Sequence, residues 1–154
     1  MRALVQRVKR CSVTIEGTLT SFIEMGVLIF LSVKNSDAEV DAEYLAERCS
    51  SLRIFDDESG KMNLSVKDLD GEAMVVSQFT LYGDTRKGNR PSYTDAASLQ
   101  IAELLYDHFI IHLRKLLGEK RVSTGVFRAM MEIELVNDGP VTLMLESKSQ
   151  AANG

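Results

Sequence analysis

The sequence predicts a layered α/β domain, and three observations carry that reading. Short apolar or alternating runs recur along the chain. Two segments repeat apolar residues at helical spacing. Turn-forming residues separate these stretches. At 154 residues, 45% hydrophobic and 26% charged, the chain has the size of one domain with a core of its own. No internal repeat or linker marks a second domain.

Residues 2–8 and 11–16 alternate as strands, and Glu16-Gly17 reads as a hairpin turn into another strand at 18–23. The apolar run at 26–33 reads as a buried strand. Ser36-Asp37-Ala38-Glu39 has capping-box spacing and opens a helix to about Cys49, with Val40, Leu45 and Cys49 as its buried stripe. Residues 52–55 read as a short strand and 56–60 as a turn. Residues 72–81 read as a long strand, and 82–95 as a polar loop long enough to carry function. A second helix spans about 96–117. Its stripe is Leu99, Ala102, Leu105, Phe109, Leu113 and Leu116, and Gly118 is its C-cap. The last strands are expected at 127–136 and 141–146, joined by a turn at Gly139-Pro140, because a central strand cannot continue through proline. The domain is expected to cover 1–147, and 148–154 to be a disordered tail.

Composition narrows the function. The apolar run Val27-Leu28-Ile29-Phe30-Leu31 is too short to span a bilayer, and no secretory leader is visible, so a cytoplasmic protein without a membrane partner is expected. Cys11 and Cys49 are isolated and read as reduced thiols. His108 and His112 stand four apart on the second helix, but no third ligand joins them, so no metal is expected. Neither a Ser-His-Asp triad nor a phosphate-binding glycine fingerprint is present. The net charge of -4 does not favour nucleic acid in bulk. Its distribution does so locally: Arg2, Arg7, Lys9 and Arg10 cluster without an acid, and Arg86, Lys87 and Arg90 follow one acid, Asp84.

Two segments stand out. Ser77-Gln78-Phe79-Thr80-Leu81 ends an apolar strand with polar side chains, and Asn137-Asp138-Gly139-Pro140-Val141-Thr142 sets Gly-Pro between strand-like runs. Each alone reads as ordinary local structure. Together they resemble the two signature motifs of the D-aminoacyl-tRNA deacylases. The opening residues 1–8 and the stretch 84–97 resemble that family too, so the likeness runs from Met1 to about Ser147.

The resemblance implies a mixed, partly barrel-like sheet with two main helices, assembled as a homodimer. It implies hydrolysis of the ester of D-aminoacyl-tRNA, a chiral proofreading step in translation, without a cofactor. Glycyl-tRNA is implied as a second substrate. The activated ester calls for positioning and oxyanion stabilisation more than for a strong base. The implied catalytic floor is Ser77, Gln78, Phe79 and Thr80, with the 2′-hydroxyl of the tRNA assisting. Thr80 as a nucleophile is the rival, and the sequence offers it no adjacent base. The implied substrate contacts are Gly139 and Pro140, joined by a cis bond and inserted into the partner's site to exclude an L-side chain. Arg7 would brace the Gly139 carbonyl, and Phe127 would lie against the terminal adenine or else serve as a core strand residue. Arg86, Lys87 and Arg90 would bind tRNA. The alternative function is DNA binding without hydrolysis.

Overall fold

The computed structural model describes residues 1–147, and the expected tail at 148–154 lies outside the described residues. Arg2–Ile15 forms one long strand, β1. Glu16 and Gly17 follow with φ of 49° and 75°, the left-handed pair that suits a two-residue hairpin turn, and β2 (Thr18–Ile23) returns antiparallel. β3 (Gly26–Ser32) pairs with the first part of β1. Next come α1 (Glu39–Ser51) and a small ribbon of β4 (Phe55–Asp56) and β5 (Met62–Leu64). β6 (Glu72–Ser77) lies parallel to β3. After α2 (Leu99–Leu117), β7 (Val122–Thr124) lies parallel to β6. β8 (Glu132–Glu146) runs antiparallel to nearly the whole of β1. The sheet is therefore mixed and six-stranded. It curls until Ser21 Oγ on β2 donates to the Thr124 carbonyl on β7 at 2.5 Å, which almost closes a barrel.

Strand alternation fills two cores at once. On β3, Val27, Ile29 and Leu31 face the helices while Leu28 faces the inside of the curl. On β6, Ala73 and Val75 face the helices, and Met74 and Val76 face inward. β1 serves both cores in turn. Ala3 and Val5 pack under the helices, whereas Cys11 and Val13 pack inside the curl. The exchange of faces follows from a register break against β8 between Val8 and Arg10, since one residue out of step turns every later side chain over. The helices cover one face with Ala42, Leu45, Ala46 and Cys49 from α1, and Leu105, Phe109 and Leu113 from α2. His108 Nε2 stands 3.0 Å from Glu43 Oε1, and His112 Nε2 stands 3.6 Å from Glu47 Oε1, where α2 meets α1.

Several expectations need correction. No turn interrupts 132–146: β8 passes straight through Gly139-Pro140. Among the described residues it pairs only with β1, and as an edge strand it tolerates the missing N–H of proline. Pairing steps from Gln6↔Thr142 to Val8↔Asn137, so residues 138–141 bulge opposite Arg7. Residues 127–131 form a turn and loop, not strand. β6 stops at Ser77, and Phe79–Tyr82 winds into a 3₁₀ turn. α1 begins at Glu39, where the Ala38 N–H donates to Asp41 Oδ2 at 2.9 Å. Val40 and Leu99 lie in the first turns of their helices and are exposed, outside the buried stripes. β5 and β7, three residues each, are too short to show periodicity.

Candidate active site

A cleft of about 520 Å³ opens beyond the carboxyl ends of the parallel strands β6 and β7, the usual place for a ligand in a parallel sheet. Val76, Ser77 and Gln78 continue β6 into its floor, and Phe79 stands at its edge. Ala97, Leu99 and Ala102 form one side, from the start of α2. The loop after β7 supplies the other, from Phe127 to Met131, with Ile133 beyond. The lining is mainly apolar, with Ser77 and Gln78 as its neutral polar groups.

The floor owes its shape to the end of a ladder. Gln78 N–H still donates to the Leu31 carbonyl at 2.8 Å, and then the chain tightens into the 3₁₀ turn. The N–H groups of Phe79 and Thr80 open that turn and take no acceptor among the described residues. Gln78 Nε2 donates to Thr80 Oγ1 at 2.5 Å, so the hydroxyl is tied to a neutral amide, not to a base. Thr80 is exposed and lies beside the cleft, outside its lining. Phe79 is 56% exposed, and Tyr93 meets it edge-on at 5.1 Å.

Phe127 is half-buried and lies 5.6 Å from the Tyr106 ring. Tyr106 is fixed in turn by donation to the Val75 carbonyl at 3.0 Å. Phe127 is thus both packed on the core and turned to the cleft, in a turn instead of a strand. At Gly125, just before this loop, a Cβ would come within 2.5 Å of the Met131 sulfur, so the Met131 side chain packs where a larger residue would push it aside.

Gly139 and Pro140 are exposed and do not line the cleft of their own chain. Their peptide bond is trans, against the cis bond that the resemblance implied, since every peptide among the described residues is trans. Arg7 lies buried beneath them. Its Nε donates to the Asp138 carbonyl at 3.1 Å and stands 3.5 Å from the Asp138 carboxylate. Its Nη1 donates to the Ile54 carbonyl at 2.5 Å. The brace is therefore on Asp138, one residue before the expected Gly139 carbonyl. Asn137 adds a second clasp: its Nδ2 donates to the Arg7 carbonyl at 2.9 Å and to the Val141 carbonyl at 3.0 Å.

Arg86, Lys87 and Arg90 are exposed on the loop between Asp84 and Ser92, whose backbones exchange hydrogen bonds at 2.7 and 2.9 Å. Asp84 pairs with Arg86 at 2.8 Å, and those hydrogen bonds hold its carboxyl down at about 2. Arg86 is thus partly neutralised at every ordinary pH. Neither histidine lines the cleft, and among the described residues no group of three His, Cys, Asp or Glu side chains is placed to hold a metal. Arg128, Met130 and Ala129 at the cleft were absent from the sequence expectations. The lone Gly125 before an irregular stretch was the available signal.

The sequence matches the family described as D-Tyr-tRNA(Tyr) deacylase over residues 4–146. The chain belongs to this deacylase family. A D-aminoacyl-tRNA deacylase of Koribacter versatilis (strain Ellin345) is 55% identical over 97% of this chain and 99% of its own length. One from Caldicellulosiruptor saccharolyticus is 53% identical over 96% and 98%. Among solved structures, the c-Myc DNA Unwinding Element Binding Protein superposes with a TM-score of 0.92 at 40% identity, covering 97% of this deacylase and all of that chain. A probable eukaryotic D-amino acid tRNA deacylase superposes with a TM-score of 0.84, over 94% and 98% of the two chains, at 14% identity, a likeness of fold. By family, then, this deacylase is a hydrolase of the aminoacyl-tRNA ester bond. No helix among its described residues is long and apolar enough to cross a membrane.

Proposed function

We propose that this chain hydrolyses D-aminoacyl-tRNA in the cytoplasm, releasing the amino acid and tRNA. One observation carries the mechanism: the 3₁₀ turn at the end of the cleft floor leaves backbone N–H groups free beside neutral polar side chains, and no base is within hydrogen-bond reach of Thr80. Such a floor suits an ester that is already activated. The N–H groups of Phe79 and Thr80 receive the developing oxyanion, and Ser77 and Gln78 position the acyl group. The ribose 2′-hydroxyl of the tRNA assists the attack, because an amide-bound threonine hydroxyl is a poor nucleophile. The terminal adenine lies against Phe127, which Tyr106 holds in place. Arg86, Lys87 and Arg90 contact the RNA backbone outside the cleft.

Selectivity comes from a second copy of the chain. Gly139 and Pro140 stand exposed on an edge strand, braced from below by Arg7, and enter the partner's cleft as a rigid block. An L-side chain collides with that block, whereas a D-side chain points away. Apolar contact alone separates substrates that differ by a methyl by only about 1–3 kcal/mol, so strong discrimination requires a rigid obstacle. Glycyl-tRNA, with no side chain to exclude, is then also a substrate. The test is deacylation of matched D-alanyl-, L-alanyl- and glycyl-tRNA by the purified protein. Cleavage of the D and glycyl forms with the L form spared is expected. A protein that cleaves only the D form recognises the D-side chain directly, and the exclusion reading fails.

The DNA-binding alternative has less support here. The net charge is -4, and Arg86 in the basic loop is already paired. Competition between uncharged tRNA and duplex DNA separates the two readings.

A further inference from the structure

Among the described residues that line the cleft, Arg128 is the one that carries a charge. It is exposed, next to Phe127, and no ion pair or hydrogen bond engages its guanidinium among the described residues. Its backbone takes φ of 68°, the left-handed region that glycine occupies freely and arginine does not. A long cation thus stands unpaired at the rim of an otherwise uncharged cavity. The basic loop farther out has part of its charge cancelled by Asp84.

We propose that Arg128 binds a backbone phosphate at the 3′ end of the RNA substrate, and so fixes the terminal nucleotide over the cleft. This rests on the deacylase reading above. With the acyl group on the Ser77–Gln78 floor and the base against Phe127, the terminal nucleotide's 5′ phosphate lies one ribose away from the base. The residue adjacent to Phe127 is placed to meet it. A guanidinium is suited to this contact because its planar fork donates two parallel hydrogen bonds to one phosphate. The apolar lining gives the phosphate no other cationic partner inside the rim. Arg128 is a positioning residue: it holds the nucleotide and does not touch the scissile ester.

The experiment compares two substrates, D-aminoacyl-tRNA and the D-aminoacyl ester of adenosine, which carries no phosphate. Arg128→Gly suits the backbone, so its melting temperature should equal or exceed that of the parent. With the tRNA ester, KM should rise roughly three- to tenfold with kcat unchanged. The dependence of log kcat/KM on log salt should shrink by about 0.7, the value for one single-strand phosphate contact. With the adenosine ester, kcat/KM should not change, and Arg128→Lys should restore most of the loss on tRNA. An equal loss on both substrates, or an unchanged KM and salt slope, overturns the assignment. A parent protein inactive on both esters refutes the deacylase reading before any variant is compared, and the assignment falls with it.

Discussion

At Gly139 a single hydrogen stands where Arg7 leaves no room for a side chain. A Cβ there would collide with Arg7 Nη2 and lie 3.2 Å from its Cζ, and the backbone φ of 112° disfavours any L residue. Gly139→Ala should therefore lower stability by about 1–3 kcal/mol in urea titration. It should also raise hydrolysis of L-alanyl-tRNA above the parent's level, because the displaced bulge no longer fills the partner's cleft. A variant with parent-like L rejection would remove Gly139 from the selectivity mechanism. The two thiols make a different kind of prediction. Burial raises Cys11 to about 11 and Cys49 to about 12. Iodoacetamide at pH 8 should leave both unmodified until the protein unfolds. Because the folded value of Cys49 lies above its ordinary 9.0, its contribution to stability is intact below pH 9 and is lost as pH rises through about 12. Urea midpoints measured from pH 8 to 11 should fall more steeply for the parent than for Cys49→Ala.

Between elements, the clasp at the bulge and the closed loop after the 3₁₀ turn are the parts open to test. Asn137 satisfies two carbonyls, one on each strand, so Asn137→Ala should cost about 1–3 kcal/mol by leaving half-buried acceptors unpaired. Asp84→Asn should act the other way. It releases Arg86 from its pair and should tighten tRNA binding about two- to fivefold at low salt, with a steeper salt dependence. Unchanged affinity would place the RNA away from this loop. The long elements were legible in the sequence because their patterns extend over several residues. β3 and α2 fall close to their expected bounds, and Gly118 ends α2 at φ 106°. The motif at 77–81 was legible as polar residues ending an apolar strand. The bulge was not, because whether proline sits in a turn or an edge strand depends on a partner 130 residues away in sequence, a distance given by the Arg7–Asn137 contact. The loop from Phe127 to Met131 reads as strand in the sequence for a related reason: its apolar residues line a cleft, and apolar spacing does not distinguish a cleft wall from the core face of a strand.

For the whole molecule, the cleft and the Gly-Pro block lie apart in one chain, and the proposal joins them across two. Mixed dimers test this. A subunit with Gly139→Ala keeps an open cleft, and a subunit with Ala102→Trp has its own cleft filled. When the two are refolded together, the only working cleft of each heterodimer faces a native Gly139-Pro140. L-Alanyl-tRNA hydrolysis per active site should then fall below that of the Gly139→Ala homodimer. Equal hydrolysis would mean that each chain guards its own cleft. The pairing of β1 with β8 has a further consequence, for synthesis on the ribosome. Arg2 binds Glu146 across a separation of 144 residues, so β1 must wait for β8. Until β8 is made, β1 has one bare edge, while β2 and β3, already emerged, can occupy the other. Bare edges recruit other strands, and such long-range pairing is slow. Arg2, Lys9 and Arg10 on that strand supply like charges that repel a second nascent copy, a safeguard for the interval before β8 arrives.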